Sequence, residues 1–217
     1  MMYELVDLKL LYGQRVALSI PAMLIGKGER VALMGPNGSG KTSLLKLMDG
    51  LIGPSEGRVL LEGKTVVKPA PARPRSVYLH QYPYLLSGTV AYNVGFGCRA
   101  LGMDAREIRR RAEEAIALLG LEGMEGRTNR ALSGGEAQRV ALARAMATGA
   151  EILLLDEPSA SADTASVALI AEAIRRCSEA GTTVVFSTHD EDFTRALEGR
   201  RVRLNAGRIE NDEGGAA

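Results

Sequence analysis

Eight consecutive residues near the start of the chain have the types and spacing of a loop that binds phosphate. Glycines let successive backbone N–H groups turn toward an anion, and a helix that follows the loop directs its positive end at that anion. A lysine then supplies a point charge for the β- and γ-phosphates, and a hydroxyl is offered to Mg²⁺. The run consists of Gly35, Pro36, Asn37, Gly38, Ser39, Gly40, Lys41 and Thr42.

The segments on either side of this loop have the patterns of a strand and a helix. Residues 30–34 are a short apolar run that predicts a buried parallel strand. A helix is predicted to open at Ser43 and to end near Gly50. Strand, glycine loop and helix in this order are the context that a phosphate-binding loop requires, and a chance glycine-rich turn is the weaker interpretation.

Two carboxylates follow a second predicted buried strand. Residues 151–158 are an apolar run that ends in Asp156, Glu157 and a proline, which cannot continue a strand. Ligands of parallel sheets bind at the carboxyl edge of the strands, where these acids lie. Asp156 is predicted to hold Mg²⁺ through water, and Glu157 to orient or deprotonate an attacking water. Surface acids beyond a strand are the alternative.

Two further polar residues end predicted strands of the same sheet. His189 follows the apolar run at residues 182–188, and the pattern predicts a polar contact to the γ-phosphate. Gln81 follows the strand predicted at residues 76–80. Its amide is placed to reach a metal ion or a water near the phosphate loop, although a surface glutamine would look the same.

A second anion-seeking element is predicted in the middle of the chain. Ser133, Gly134, Gly135 and Glu136 have the spacing of a capping box, which opens a helix from Gly134 to about residue 147, roughly 21 Å long. The two glycines leave backbone N–H groups open to an anion. The motif is either an ordinary helix start, a site for a second anion, or one half of a nucleotide site shared between two subunits.

The bulk properties exclude several classes of protein. A chain of 217 residues with 46% hydrophobic content is long enough for one full core, and a net charge of +1 gives no electrostatic case for nucleic acid. Cys98 and Cys177 lack metal-binding spacing and are predicted to be reduced thiols. Neither a secretion signal nor a membrane-spanning segment is predicted, so we expect the chain to stay in the cytoplasm.

The remaining segments predict a β layer, a helical lobe and a closing hairpin. Alternating patterns predict antiparallel strands at residues 5–10 and 16–20, and the turn residue Tyr12 is either a half-buried aromatic or a ring that stacks on a base. Further predictions are a strand at 58–62, a proline-rich link at Pro69, Pro71 and Pro74, a capping box at Asp104 and Glu107 before a helix that ends at Gly120, and a helix capped by Asp163 that ends near residue 179. A hairpin at 201–209 and a disordered tail follow.

An uncharged stretch holds an unusual concentration of aromatic residues. Residues 76–98 contain no Asp, Glu, Lys or Arg. Core packing is one explanation, but tyrosine-rich patches without charge also form the centres of interfaces. We therefore predict a docking surface for a partner, formed around Tyr82, Tyr84, Leu85, Leu86, Tyr92 and Phe96.

Together these motifs resemble the ATP-binding subunits of ABC transporters over nearly the full length of the chain. Leu132 to Glu136, with Gln138 and Arg139, match the signature of that family, which other phosphate-loop enzymes lack. The resemblance implies an α/β phosphate-loop NTPase fold with a mainly parallel sheet, an N-terminal antiparallel β layer and an inserted helical lobe. It implies one domain, with the β layer and ATP-binding core at 1–81 and 150–210, the helical lobe at 82–149 and a disordered tail at 211–217.

The resemblance also implies roles for the predicted site residues. Two subunits pack head to tail, and each ATP lies between the phosphate loop of one chain, residues 35–43, and the signature of the other, residues 133–136. Tyr12 stacks on the base, Glu157 is the general base with Gln81 and His189 beside it, and Thr42, Gln81 and Asp156 surround Mg²⁺. Asp163 belongs to a dimer contact, in which Ala162 stands where a leucine is usual.

The implied biology is transport through a separate integral membrane permease that docks near residues 82–97. The subunit is then a peripheral protein on the inner face of the cell membrane that powers import, and the run at residues 82–90 is most similar to importers of tungstate or related oxyanions. The alternatives are an ABC ATPase of lipoprotein release or cell division, a soluble clamp on DNA or ribosomes, and an inactive binding module. His80 and Asp49 depart from the family pattern.

Overall fold

The strands and helices of the protein are described by a computed structural model that covers residues 1–67, 75–160 and 162–214. The predicted link at Pro69, Pro71 and Pro74 lies outside the described residues. The strands are β1 (Tyr3–Tyr12), β2 (Arg15–Ile25), β3 (Arg30–Met34), β4 (Glu56–Leu61), β5 (Lys64–Thr65), β6 (Ser76–Leu79), β7 (Ile152–Asp156), β8 (Thr183–Ser187), β9 (Arg200–Asn205) and β10 (Arg208–Glu213). The helices are α1 (Lys41–Met48), α2 (Val90–Val94), α3 (Phe96–Ala100), α4 (Ala105–Leu118), α5 (Gly134–Ala147), α6 (Thr164–Glu179) and α7 (Glu191–Leu197).

The N-terminal strands form an antiparallel sheet in the order β2-β1-β4-β5. The alternating pattern of the first two strands predicted this sheet and its one buried face. Leu5, Leu8 and Leu10 are each at most 4% exposed, and they share an apolar cluster with Leu44 and Leu45 of α1. The sheet therefore supports the helix that follows the phosphate loop.

The central sheet is mainly parallel, in the order β10-β9-β3-β8-β7-β6, with only β10 antiparallel to its neighbour among these strands. Val31 and Leu33 of β3 face the cluster that contains α1, whereas Ala32 and Met34 face a second cluster that contains the other helices. Because β3, β7 and β8 run in the same direction, the residues that follow them meet at one edge of the sheet. The fold class predicted from the sequence is confirmed.

A group of helices lies between β6 and β7. The helix predicted after Asp104 is α4, and Asp104 caps it by accepting from the Glu107 N–H at 2.9 Å. The reciprocal half of the predicted capping box is wrong, because the Glu107 carboxylate pairs with Arg110 and Arg111 instead. Helix α5 begins and ends where the sequence predicted. No described helix is both long and apolar enough to cross a bilayer.

The C-terminal segment closes the central sheet. The predicted hairpin is β9 and β10, and β9 pairs with β3 in parallel. The prediction of a disordered tail at residues 211–217 is wrong for residues 211–213, because their pairing with β9 extends β10 through Glu213. Residues 215–217 lie outside the described residues.

Asp49 at the end of α1 is a partly buried carboxyl group. Its Oδ1 accepts a hydrogen bond from Ser76 Oγ at 2.6 Å, which ties α1 to the edge strand β6. Burial raises the pKa of Asp49 to about 6, and the hydrogen bond from Ser76 opposes this effect. Asp49, which departs from the family pattern, therefore has a structural role as the acceptor that joins α1 to β6.

The raised pKa predicts that Asp49→Asn stabilises the protein at neutral pH. The protonated carboxyl contributes stability that is complete below about pH 4 and is lost as the pH rises through about 6. The substitution should therefore raise the free energy of unfolding by about 1 kcal/mol at pH 7.5, after allowance for solvent at the partly exposed group, and by about half as much at pH 5, which lies between the two pKa values. Urea unfolding at both pH values measures this, with the exposed Asp192→Asn as a control. An equal effect at both pH values would contradict the assignment.

Candidate active site

The phosphate loop lies between β3 and α1, as the sequence predicted, and two of its glycines are required by the fold. Gly35 has φ +136°, and a Cβ there would lie 2.0 Å from the Leu204 carbonyl oxygen. Gly40 caps α1 with φ +107°, and a Cβ there would lie 2.5 Å from Leu18 Cδ2. The loop is therefore packed against β9 and β2, which fixes the backbone N–H groups at the start of α1.

Lys41 is held inside this loop. It is 6% exposed, and its Nζ donates to the carbonyl oxygens of Gly35 at 2.7 Å and Pro36 at 3.2 Å. Ser39 Oγ is buried and has no hydrogen-bond partner in the described part of the chain. A buried ammonium and a buried hydroxyl without a partner at a helix N-terminus have the chemistry of a site for a phosphate group.

Asp156 sits at the end of β7, where three hydroxyl groups hold its carboxylate. Oδ1 accepts from Ser187 Oγ at 2.6 Å and from Thr42 Oγ1 at 3.1 Å, and Oδ2 accepts from the Tyr78 hydroxyl at 2.9 Å. Burial is the largest cause that raises the pKa of Tyr78, and the nearby charge of Asp156 is the second. The phenol therefore keeps its proton and donates a hydrogen bond to Asp156. Asp156 is 3% exposed, which excludes the alternative of a surface acid.

Glu157 is buried beside His189. Its side chain is 8% exposed, and Oε2 lies 3.0 Å from Nδ1 of the largely exposed His189. The Glu157 backbone adopts φ +47°, which is unusual for a residue with a side chain, and its N–H donates to Ser187 Oγ at 2.9 Å. The end of β8 thus fixes the backbone of Glu157, and His189 is the hydrogen-bond partner of its carboxylate.

A cavity of about 260 Å³ brings most of the predicted nucleotide residues together. Its lining includes Tyr12, Gln81, Asp156 and Glu157 together with residues 37–43 of the loop, and Tyr12 is 57% exposed. Because the Tyr12 ring is exposed and lies beside the loop, stacking on a base is favoured over the alternative that Tyr12 is a half-buried aromatic of a turn. Sequence reasoning missed Arg15, which also lines the cavity but carries no motif signal.

The oxygen donors of this cavity fit Mg²⁺. They are the Thr42 hydroxyl, the Asp156 carboxylate and the Gln81 amide, which is the hard-ligand set that this ion prefers. Within residues 1–67, 75–160 and 162–214 no group of three or more His, Cys, Asp and Glu residues is arranged to hold a metal ion. A site with so few protein ligands suits an ion that keeps waters and takes phosphate oxygens.

The signature motif lies outside this cavity. Both halves of its capping box are present: Ser133 Oγ accepts from the Glu136 N–H at 3.2 Å, and a Glu136 carboxylate oxygen accepts from the Ser133 N–H at 2.7 Å. That backbone hydrogen bond and Arg127 lower the pKa of Glu136. Asp163 caps α6 by accepting from the Ser166 N–H at 2.8 Å. Residues 133–136 and Asp163 are not among those that line the cavity.

A second cavity of about 420 Å³, the cleft, lies between β6, α3 and α5. Tyr78, Phe96, Ala141 and Arg144 are among the residues that line it. Tyr82 and Tyr84, in the predicted docking segment at 82–97, are 78% and 77% exposed, so core packing is the wrong explanation for these rings. Leu85, in contrast, packs against the core.

Two contacts connect the docking segment to the helices. Arg144 of α5 donates to the Tyr84 carbonyl oxygen at 2.8 Å, and burial lowers the pKa of Arg144. Arg99 lies over the Tyr92 ring at 4.6 Å from its centre. The docking segment is therefore an exposed aromatic surface that is attached to α5, the signature helix, which begins within the signature.

Comparison with known sequences finds one family over most of the chain. The sequence profile described as ABC transporter matches residues 18–160. A putative ABC transporter ATP-binding protein of Archaeoglobus fulgidus is 39% identical over 90% of this chain and 69% of its own length. A sulfate/thiosulfate import ATP-binding protein of Caulobacter vibrioides is 42% identical over 92% of this chain and 60% of its own. An Fe(3+) ions import ATP-binding protein of Rhizobium meliloti is 38% identical over 91% of this chain and 57% of its own.

Comparison with solved structures finds the same architecture. A dimeric ATP-binding cassette in a post-hydrolysis state, bound to ADP and Pi, superposes with a TM-score of 0.88 at 30% identity and covers 98% of each chain. The chain described above spans less than two thirds of the length of the two import proteins, but nearly all of this cassette. The shared unit is thus the cassette itself.

Proposed function

Because the chain belongs to the ABC transporter family, we propose that it is the ATP-hydrolysing subunit of a membrane transporter and acts as a dimer around two ATP molecules. The observation that carries this proposal is the convergence of Lys41, Thr42, Asp156 and Glu157 at one sheet edge, beside the N-terminus of α1. Phosphoryl transfer to water needs a cation for the phosphates, ligands for a metal ion and a carboxylate for the water. This cavity supplies them as Lys41, as Thr42 with Asp156, and as Glu157.

ATP binding uses groups that the loop already holds. The Lys41 ammonium exchanges its carbonyl partners for β- and γ-phosphate oxygens, and the N–H groups at the start of α1 contact the same phosphates. Thr42, Gln81 and Asp156 would hold Mg²⁺, which when bound neutralises charge on the phosphates. The exposed Tyr12 ring stacks on the base.

Hydrolysis uses the pair of Glu157 and His189. Glu157 accepts a proton from the attacking water, or orients that water, and the 3.0 Å contact to His189 keeps the carboxylate aimed at the cavity. His189 is exposed enough to reach the γ-phosphate as well. Gln81, from the end of β6, completes the predicted catalytic group.

The signature helix completes the site of a second subunit. Gly134 and Gly135 open α5 with a full capping box, yet lie away from the chain's own cavity, so a partner's ATP is the anion that suits them. The dimeric state of the similar cassette that binds ADP and Pi supports this arrangement. Asp163, at the start of α6, is the predicted contact across the dimer.

The docking segment and the cleft face a permease in this proposal. Exposed Tyr82 and Tyr84, with the half-exposed Phe96 that lines the cleft, provide the aromatic surface that an interface centre favours. Import is the direction that the relatives' names favour. An oxyanion such as tungstate is the proposed cargo, supported by the residues at 82–90 and by the sulfate/thiosulfate relative, although the iron relative has a similar identity.

Tyr84→Glu tests the docking surface. A charge in an uncharged interface centre should reduce recovery of the permease at least tenfold, while the ATPase rate of the isolated subunit stays within about twofold. The measurement is mass spectrometry of proteins that co-purify with the tagged subunit from gently solubilised host membranes. Leu24→Glu, at an exposed leucine of β2, is the matched control.

The same purification tests the transport proposal itself. Recovery of a multi-span permease, together with a solute-binding protein, is the expected result. Recovery only with ribosomes, DNA or a cell-division complex would overturn transport and leave the ATPase chemistry in place. If Tyr84→Glu recovered as much permease as the parent subunit does, the docking surface would have to lie elsewhere.

A further inference from the structure

Tyr78 occupies a position that none of the sequence motifs covers. It lies in β6, the edge strand of the central sheet, next to β7 and three residues before Gln81. Its hydroxyl reaches across to the end of β7 and donates to Asp156 Oδ2 at 2.9 Å. Residue 78 is also among those that line the cleft between β6, α3 and α5.

The two oxygens of Asp156 are held in different ways. Oδ1 has two donors, Ser187 Oγ and Thr42 Oγ1. Oδ2 has one donor in the described residues, the phenol of Tyr78. Thr42 is predicted to turn its hydroxyl to Mg²⁺, which leaves Ser187 and Tyr78 to fix the carboxylate, one at each oxygen.

The Tyr78 ring is itself restrained. His80 meets it edge to face, with ring centroids 4.6 Å apart and an interplanar angle of 84°. The ring packs against the apolar cluster that contains α1 and the N-terminal sheet. The contact with His80 and the packing on this cluster hold the ring in place.

We propose that Tyr78 is a positioning residue that fixes Asp156 for Mg²⁺ and connects that carboxylate to the cleft. The connection to the cleft depends on the proposed function, since it requires a partner that docks there. The metal-positioning part depends only on the hydrogen bond at Asp156. Outer partners that orient a metal ligand typically change metal affinity by 10- to 100-fold when they are removed.

Tyr78→Phe tests the positioning role because it removes one hydroxyl and keeps the ring. We expect about tenfold weaker binding of Mn²⁺, used as a probe for Mg²⁺ and measured by EPR with ATP present in the Glu157→Gln background. ATP affinity in EDTA should change less than twofold. Mn²⁺ affinity within twofold of the parent would overturn the proposal.

Tyr3→Phe is the matched control. Tyr3 is a buried tyrosine whose hydroxyl donates to the Met48 carbonyl oxygen at 3.1 Å, away from Asp156. Its loss should lower the unfolding temperature and leave Mn²⁺ affinity unchanged. An equal loss of Mn²⁺ affinity in both variants would mean that general loosening of the fold, and not the contact to Asp156, is responsible.

The purified complex with the permease tests the connection to the cleft. At saturating Mg²⁺, we expect Tyr78→Phe to reduce the stimulation of ATPase activity by the permease at least threefold, and Tyr3→Phe to leave it unchanged. Full stimulation in Tyr78→Phe would overturn the connection. Failure to recover any permease would instead count against the proposed function, and the Mn²⁺ result would stand by itself.

Discussion

Replacing Glu157 with glutamine is expected to lower the rate of ATP hydrolysis about a thousandfold and to leave ATP affinity within about threefold. The amide has nearly the same shape as the carboxylate and keeps a hydrogen-bonding atom beside His189, so the local packing is preserved. It cannot accept a proton from water, so only the chemical step fails. Binding without turnover should trap a dimer with ATP enclosed.

Single-turnover kinetics and isothermal titration calorimetry measure the two quantities separately. Glu122→Gln, an exposed glutamate in the helical region, is the matched control and should behave like the parent protein. A Glu157→Gln rate above one tenth of the parent rate would mean that another group accepts the proton. Loss of ATP binding in this variant would mean that Glu157 supports the cavity itself.

Replacing Lys41 with alanine is expected to weaken ATP binding about 100-fold. The ammonium is 6% exposed and held beside the start of α1, where its contact with phosphate is shielded from water. Hydrogen bonds to charged groups contribute about 1.5–3 kcal/mol, and the upper end corresponds to this loss.

Calorimetric titration in the Glu157→Gln background measures the affinity for ATP without hydrolysis of the ATP during the titration. Lys46→Ala is the control, since Lys46 lies in the last turn of the same helix and outside the cavity. Its ATP affinity should equal that of the parent. If both variants lost affinity equally, net charge on α1 and not a contact with phosphate would explain the result.

The sequence predicts those parts of the site whose chemistry follows from local spacing. Gly35 to Thr42 encode their own turn, and the apolar runs before Asp156 and His189 show which strands end at the same edge. The capping box at Ser133 is also local, and it predicted the bounds of α5 correctly. In each case a few consecutive residues determine the backbone that positions the functional group.

The rest depends on contacts between distant segments. Nothing in the spacing of Tyr78, Ser187 and Asp156 shows that the two hydroxyls bind opposite oxygens of one carboxylate, and nothing in the local sequence shows the positive φ of Glu157. Helices α2, α3 and α7 are 5 to 7 residues long, too short for a helical period to stand out, so none was predicted. The exposure of Tyr82 and Tyr84 is likewise a property of the folded chain that their spacing does not show.

The central claim is that ATP is shared between the phosphate loop of one chain and the signature of another, and cross-linking tests it most directly. Asn37→Cys places a thiol on the exposed part of the loop, and Ala131→Cys places one at an exposed residue just before the signature. Burial raises the pKa of both native thiols, Cys98 and Cys177, so they react slowly. The two variants carry different tags, are made in the Glu157→Gln background and are mixed with a short bis-maleimide reagent.

The account predicts an ATP-dependent cross-link between the Asn37→Cys chain and the Ala131→Cys chain, and far less between two Asn37→Cys chains. EDTA or the Lys41→Ala substitution should abolish the cross-link. If ATP gave no cross-link between the two chains, or if the cross-link formed equally well without ATP, the shared site would be contradicted.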